Sequence, residues 1–421
     1  MKLTDLQKRS IAYQAAFLRE RIQHLGSRER THQTPAQNPK QRLAQWQKNA
    51  GGRGGEKSFL TRLQMDGITM EQALSLASEG TGIWQGDLPE YFAMLDEILA
   101  MLPFPLIGQE EGSPQDQSAQ ITSFAPFLMY ANNQLRMRMG EKKELFTVEA
   151  FAGLVKMLSD VLTASTSELW YERFRLFVLR KETLGAFLTM KQDQMKRYQK
   201  EFAEELLAGG WVELLLEFPL LGRIITTYLS YWIQNMAALA EHIAEDQKQL
   251  EHIYFNGNPP GQVKSVTGNM GDAHNKGRSV LILEFCQGLK LVYKPRSLEV
   301  DEMFIRLLQA FREMGFPDQL RLPVTWSKED HGWAEFVLHD SVANPEEANV
   351  YYRRMGSLFA LVYVLGGNDF HTENLITSGA DPILVDLETI LSYQVVPFHD
   401  EVREMMENFK SNALLGESVL G

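Results

Sequence analysis

The sequence predicts an α+β protein, with a mainly helical N-terminal region followed by a mixed region of short strands and helices. Three observations carry this. From Phe59 to about His252, apolar residues recur at helical spacing. After Tyr254 the texture changes to β-rich runs, as in SVLILEFCQGLKLVYK. Long helical patterns then return between the later strand candidates. At 421 residues the chain exceeds one ordinary core, and the texture divides it at 1–57, 58–252, 253–340 and 341–421.

In chain order, residues 1–25 read as a polar amphipathic helix. The stretch GSRERTHQTPAQNPKQRLAQWQKNAGGRGGEKS is rich in Gly, Gln, Asn and basic residues and reads as a linker without core elements. In ELFTVEAFAGLVKMLSDVLTAS, the residues Leu145, Val148, Phe151, Leu154, Val155 and Leu158 share one helical face. The helical pattern breaks near Pro103 to Ser123. Val280–Phe285 and Leu289–Lys294 form a hairpin about a turn carrying Gly288. EVDEMFIRLLQAFREMG is a helix with acidic residues in its first turn and Gly315 as its stop. A strand near WAEFVLH and a long helix from about Pro345 to Leu365 follow. This order of strands, helices and a polar loop is that of a two-lobed kinase-like fold, and order alone establishes no activity.

Composition narrows the function classes. Apolar residues make up 44% and charged residues 23%, which is globular. A net charge of −12 disfavours a nucleic-acid backbone as partner, because such binding relies on Lys and Arg displacing counterions. Cys286 is the single cysteine, so neither an intrachain disulfide nor a Cys-based zinc cluster can form, which fits a reducing cytoplasm. The N-terminus lacks the apolar run of a signal peptide. Ile224–Ala240 is uncharged but holds Thr226, Thr227, Ser230, Gln234 and Asn235, and reads as a buried helix instead of a membrane insertion.

Chemistry concentrates in GGNDFHTENLITSGADPILVDLET. Phosphoryl transfer needs a group that orients the attacking hydroxyl, a cation on the phosphates and oxygen ligands for magnesium. Asp369 and Asn374 are five positions apart, the separation of Asp and Asn in a kinase catalytic loop, and Asp386 follows twelve residues later after the apolar run PILV. Glu388 would share the side of Asp386 if strand geometry continued through Leu387. Lys294 ends the second hairpin strand, where a kinase places its phosphate-binding lysine. Taken singly, a strand-end lysine is a solvated charge and each carboxylate belongs to a polar turn; the ordered set favours function. TGNMGDAHNKGRSV does not match a glycine-rich phosphate loop, but it places Asp272, His274 and Arg278 just before the hairpin. There His274 could move a proton and Arg278 could bind phosphate.

The blocks GDAHNKGRSVLILEF, KLVYKPRSLEVDEMF and GGNDFHTENLI with ILVDLET, in this order, resemble the dehydratase domain of type II lanthipeptide synthetases. More weakly, the resemblance takes in FLTRLQMDGIT and EFPLLGRIITTYLSYWIQNMAALAEHI. It implies a lipid-kinase-like two-lobed core after the helical region. It also implies use of ATP and Mg2+ to phosphorylate Ser and Thr of a ribosomally made precursor peptide carrying a leader, followed by phosphate elimination to dehydroamino acids. By the same resemblance, Lys294 contacts ATP phosphates, Asp369 serves or orients the attacking hydroxyl, and Asn374 and Asp386 hold magnesium. His371 and Glu388 also fall on family active-site positions, with roles that the resemblance does not separate; the strand reading makes Glu388 a candidate second metal ligand. Asp272 and His274 assist elimination and substrate handling.

The family continues beyond the point where this sequence stops, through the rest of the kinase-like lobe and a zinc-dependent cyclase domain. The expectation is therefore a core incomplete at its C-terminus, without ring-forming activity, and with a separate C-terminal dehydratase or cyclase portion as one expected partner. Two other readings compete. One is a small-molecule phosphotransferase of the aminoglycoside kinase type, which shares the D-x-H-x-x-N block but not the G-D-x-H and Y-K-P-R-S blocks. The other is a non-catalytic module that binds the precursor peptide.

Overall fold

Several helix starts in this chain are written by side chains that satisfy the first free amides. Thr69 accepts from the backbone of Gln72 while Gln72 reaches back to Thr69, and Asn344 accepts from Glu347 ahead of Pro345. The computed structural model describes residues 2–23, 30–34, 38–51, 55–105, 118–268, 276–316, 319–367, 370–371 and 374–390. Its architecture is α+β, with long helices and small antiparallel sheets. Two compact units are present: Met1–Gly140 with Leu158–Ala238, and Glu141–Met157 with Leu239–Gly421.

The first unit is mostly helical. In chain order it holds α1 (Asp5–Gln14), α2 (Leu18–Gln23), β1 (Arg30–Thr34), α3 (Pro39–Gly51), α4 (Gly55–Met65), α5 (Met70–Ala77), β2 (Thr81–Trp84), α6 (Tyr91–Ala100), α7 (Ala119–Ser123) and α8 (Ala125–Met139). It continues through most of α9 (Val148–Leu179), then α10 (Leu184–Leu188), α11 (Gln192–Glu205), α12 (Trp211–Glu217) and the first part of α13 (Pro219–Ile253). β1 and β2 pair antiparallel.

Two N-terminal expectations change. The single helix over residues 1–25 is two, because the Glu20 carboxylate accepts from the Phe17 amide at 2.8 Å and so starts α2 afresh. The linker holds β1 and α3, and Leu43 and Trp46 of α3 pack on the buried cluster Phe59, Leu63, Ile68 and Ala73. Two apolar residues three apart suffice for one short amphipathic face, even in a polar stretch. The rings of Trp46 and Phe59 meet edge to face at 5.4 Å. Trp46→Ala is expected to lower stability in chemical denaturation by about 1–3 kcal/mol, less than a fully buried tryptophan would cost; a true linker residue would leave the midpoint unchanged.

Along α9, Phe151, Leu154 and Leu158 are buried as the helical spacing requires, whereas Val148 is 77% exposed in the first turn. Ile224–Ala240 lies inside α13, where Ile225, Leu229, Leu239 and Ala240 are fully buried. Among the described residues, no helix is long and apolar enough to cross a membrane.

The second unit is built on a five-stranded antiparallel sheet of order β3-β4-β5-β7-β6: β3 (Val263–Thr267), β4 (Leu281–Phe285), β5 (Lys290–Lys294), β6 (Thr325–Ser327) and β7 (Gly332–Glu335). The expected hairpin is β4 and β5, turning at Gly288 with φ +85°. The strand at WAEFVLH is the shorter β7, and β3 and β6 join the sheet without having been expected. α14 (Glu299–Glu313), α15 (Pro345–Val364) and the ribbon of β8 (Leu375–Ser378) with β9 (Asp381–Leu384) complete the unit. One apolar core ties α14 to α15 and to the stretch after β9, through Phe304, Leu308, Leu358, Leu361, Leu384 and Leu387.

Candidate active site

The site begins where β5 ends. Lys294 pairs with Gly332 of β7, and a Cβ on Gly332 would lie 2.5 Å from Leu298 Cγ. Glycine there lets the start of α14 close onto the sheet, which brings Asp301 to the lysine. Lys294 Nζ lies 3.8 Å from Asp301 Oδ1, both side chains are buried, and the ammonium also donates to the backbone oxygen of Val385. Burial pulls the lysine below its ordinary value, an effect opposed by Asp301 and Asp386. Burial pushes the Asp301 carboxyl up, opposed by Lys294 and Arg296.

Leu384 and Leu387 point into the core on either side of Asp386, so the carboxylates of Asp386 and Glu388 face away from it, toward one guanidinium. Arg296 Nη2 is 2.6 Å from Asp386 Oδ1, and its Nε is 3.2 Å from Glu388 Oε2. The condition set by sequence, that strand geometry should run through Leu387, is not met, because β9 stops at Leu384. The carboxylates share a side nonetheless, and the Glu388 amide donates to Asp386 Oδ1 at 3.4 Å.

α15 ends in a turn at Gly366, φ +66°, a left-handed position that glycine adopts without strain. Beyond it, the Asn374 amide donates to the His371 carbonyl at 3.0 Å, and Asn374 Nδ2 lies 3.5 Å from His371 Nε2. The Asn374 carbonyl accepts from the Val385 amide at 3.1 Å, tying this loop to the residue before Asp386. Lys294, Asn374, Asp386 and Glu388 are thus gathered about Val385 and Arg296, with His371 beside Asn374. Asp272, His274 and Asp369 lie outside the described residues. The oxygen donors of Asn374, Asp386 and Glu388 are the hard-ligand set that suits magnesium, and two of them already converge on one positive group.

On α13 and the edge of β7 a second polar cluster is buried. The Asp246 carboxylate accepts from His331 Nε2 at 2.7 Å, Trp333 Nε1 at 2.7 Å and Lys328 Nζ at 3.1 Å. Burial pushes this carboxyl up, but the three donors outweigh it and hold it below its ordinary value. His331 Nδ1 faces Asp330 at 2.8 Å, and His242 Nδ1 faces the Tyr293 hydroxyl at 2.9 Å. His242, Asp330 and His331 bring three ligand-type atoms within 4.8 Å of one another. The two imidazoles, however, stack 3.7 Å apart at 7°. Both nitrogens of His331 face carboxylates and His242 Nδ1 faces a hydroxyl, so the arrangement reads as a hydrogen-bonded core.

Residues 218–421 match a family described as a domain of unknown function, DUF4135. An alignment 130 residues long, which covers 29% of the chain and 14% of the relative, is 33% identical to the lacticin 481/lactococcin biosynthesis protein LcnDR2 of Lactococcus lactis subsp. lactis. Over this stretch the chain is similar to a lanthipeptide synthetase. The family match takes in α14, α15, the five-stranded sheet and the whole cluster around Lys294.

Two members of that cluster, Asp301 and Arg296, carry no distinguishing signal in the sequence. Asp301 was visible only as one of three acids opening α14, a pattern that a helix dipole explains by itself. Arg296 lies two residues past Lys294 in YKPRS, and no spacing rule separates it from a solvated charge. The signal for both is the sheet register that folds α14 back over β5.

Proposed function

We propose that the chain serves lanthipeptide biosynthesis by ATP-dependent phosphorylation of Ser and Thr in a ribosomally made precursor peptide, on a lipid-kinase-like core. The observation that carries this reading is the buried Lys294–Asp301 pair on an antiparallel sheet, with the same ammonium bonded next to Asp386. A strand lysine paired with a helix carboxylate, facing a metal-binding aspartate, is the arrangement that phosphoryl transfer uses to grip nucleotide phosphates.

In this reading Lys294 binds the phosphates, and Asn374, Asp386 and Glu388 hold magnesium, which neutralises charge building on the transferred phosphoryl group. Asp369 takes the proton of the Ser or Thr hydroxyl as its oxygen bonds to the γ-phosphorus. The bond from that phosphorus to the β–γ bridging oxygen breaks, and ADP leaves. His371 supports this loop. Asp272 and His274 act on the phosphorylated residue, removing its α-proton as phosphate departs. The matched stretch covers 14% of that relative's length, and the elimination assisted by Asp272 and His274 is, like the phosphorylation, part of the proposal.

Mass spectrometry of a co-expressed precursor peptide tests this. Phosphate adducts mark kinase activity alone, and water losses mark complete dehydration. Unmodified peptide that still co-purifies would instead favour the non-catalytic binding module, while ATP turnover on small aminoglycosides but not on peptide would favour the small-molecule phosphotransferase.

A further inference from the structure

Arg296 spreads its guanidinium over three carboxylates. Nη2 reaches Asp386 Oδ1 at 2.6 Å, Nε reaches Glu388 Oε2 at 3.2 Å, and Nη1 lies 3.6 Å from Asp301 Oδ2 while donating to the Ser297 carbonyl at 3.1 Å. Among the described residues Asp301 Oδ2 is buried and accepts no hydrogen bond, and Arg296 shares with Lys294 the compensation of this carboxylate. The Arg296 side chain is 28% exposed, a partly desolvated setting in which charges interact more strongly than in free water. Lys294 and Arg296 together face Asp301, Asp386 and Glu388, leaving one formal negative charge over.

We infer that Arg296 is an exchangeable counter-cation for the Asp386/Glu388 pair, holding the two carboxylates together until a divalent cation takes over their oxygens. This rests on the reading that these carboxylates hold magnesium. A planar, permanently charged fork suits the role, since it grips two carboxylates at once and cannot lose its proton. A guanidinium and a divalent ion on the same two oxygens repel each other. Binding of the bare ion therefore has to displace Arg296, whereas nucleotide phosphates arriving with the ion supply new negative charge for the released guanidinium. Cation and nucleotide binding are coupled through this one side chain, and Arg296 acts as a positioning residue.

The experiment is a Mn2+ titration followed by electron paramagnetic resonance, with and without a non-hydrolysable ATP analogue. It compares the unaltered chain with Arg296→Gln, Arg296→Lys and Asp386→Asn, each checked for fold by circular dichroism. Arg296→Gln is expected to bind Mn2+ alone about tenfold more tightly, and the gain in Mn2+ affinity conferred by nucleotide shrinks by the same factor, within the range usual for coupled sites. Arg296→Lys keeps the charge, loses the fork and falls between; it carries the test by itself if the glutamine variant does not fold. Equal or weaker Mn2+ binding in both arginine variants, with Mn2+ lost in Asp386→Asn, overturns the exchange while leaving the metal site standing. Unaltered Mn2+ binding in Asp386→Asn overturns the metal site and the exchange with it.

Discussion

Lys294→Ala and Asp386→Ala are each expected to weaken magnesium-dependent ATP binding by about 10–100-fold, the loss that follows from removing one charge-assisted contact. Calorimetric titration with a non-hydrolysable analogue measures it. The two losses have different origins. On the proposed reading the lysine would contact the phosphates directly, so its effect should persist without magnesium. On the same reading Asp386 would act through the ion, so its effect should disappear when magnesium is chelated. Folding should survive Lys294→Ala better than the loss of a buried charge suggests, because Asp301, already pushed up by burial, can take a proton when its partner is gone. Urea denaturation of the same proteins separates binding from stability. Unchanged affinity in both variants would remove nucleotide binding from this site.

The second large effect lies away from the site. Asp246→Ala leaves the donors of His331, Trp333 and Lys328 without their common acceptor in a buried setting, and is expected to cost about 3–5 kcal/mol of stability. The same carboxylate makes stability depend on acid. Its folded value lies below the ordinary 3.8, so its contribution is fully present above that pH and is lost as pH falls through the lower folded value. Denaturation midpoints measured from pH 6 down to pH 2.5 should drop most steeply below about pH 4. Asp246→Asn should be less stable at pH 6 and show a shallower drop. An identical acid profile for the asparagine variant would show that other carboxylates govern it.

Much of the fold was legible because periodicity reports burial directly. The β4–β5 hairpin, the acidic start of α14 and the span of α15 follow from alternation, dipole and capping residues. The missing elements have a common physical reason. α3 shows two large apolar residues in a polar segment, β6 is three residues long, and β3 buries only Val263 and Val266. Val148 fits the apolar spacing of α9 yet stays exposed, since periodicity cannot tell which turn of a helix finds a partner.

The candidate site divides along the same line. Sequence alone determined which residue types stand at kinase-like spacing, Lys294, Asp369, Asn374 and Asp386, and which three blocks occur in lanthipeptide-synthetase order. It determined these because spacing along a chain is itself a property of sequence. Tertiary structure decided that Asp301 reaches Lys294, that Arg296 bridges Asp386 and Glu388, and that Asp246 collects three donors from the edge of the sheet. Apart from Lys294 and Asp301 those partners stand far apart in sequence, and whether such charges meet depends on strand register and on the close approach at Gly332, which no local pattern encodes.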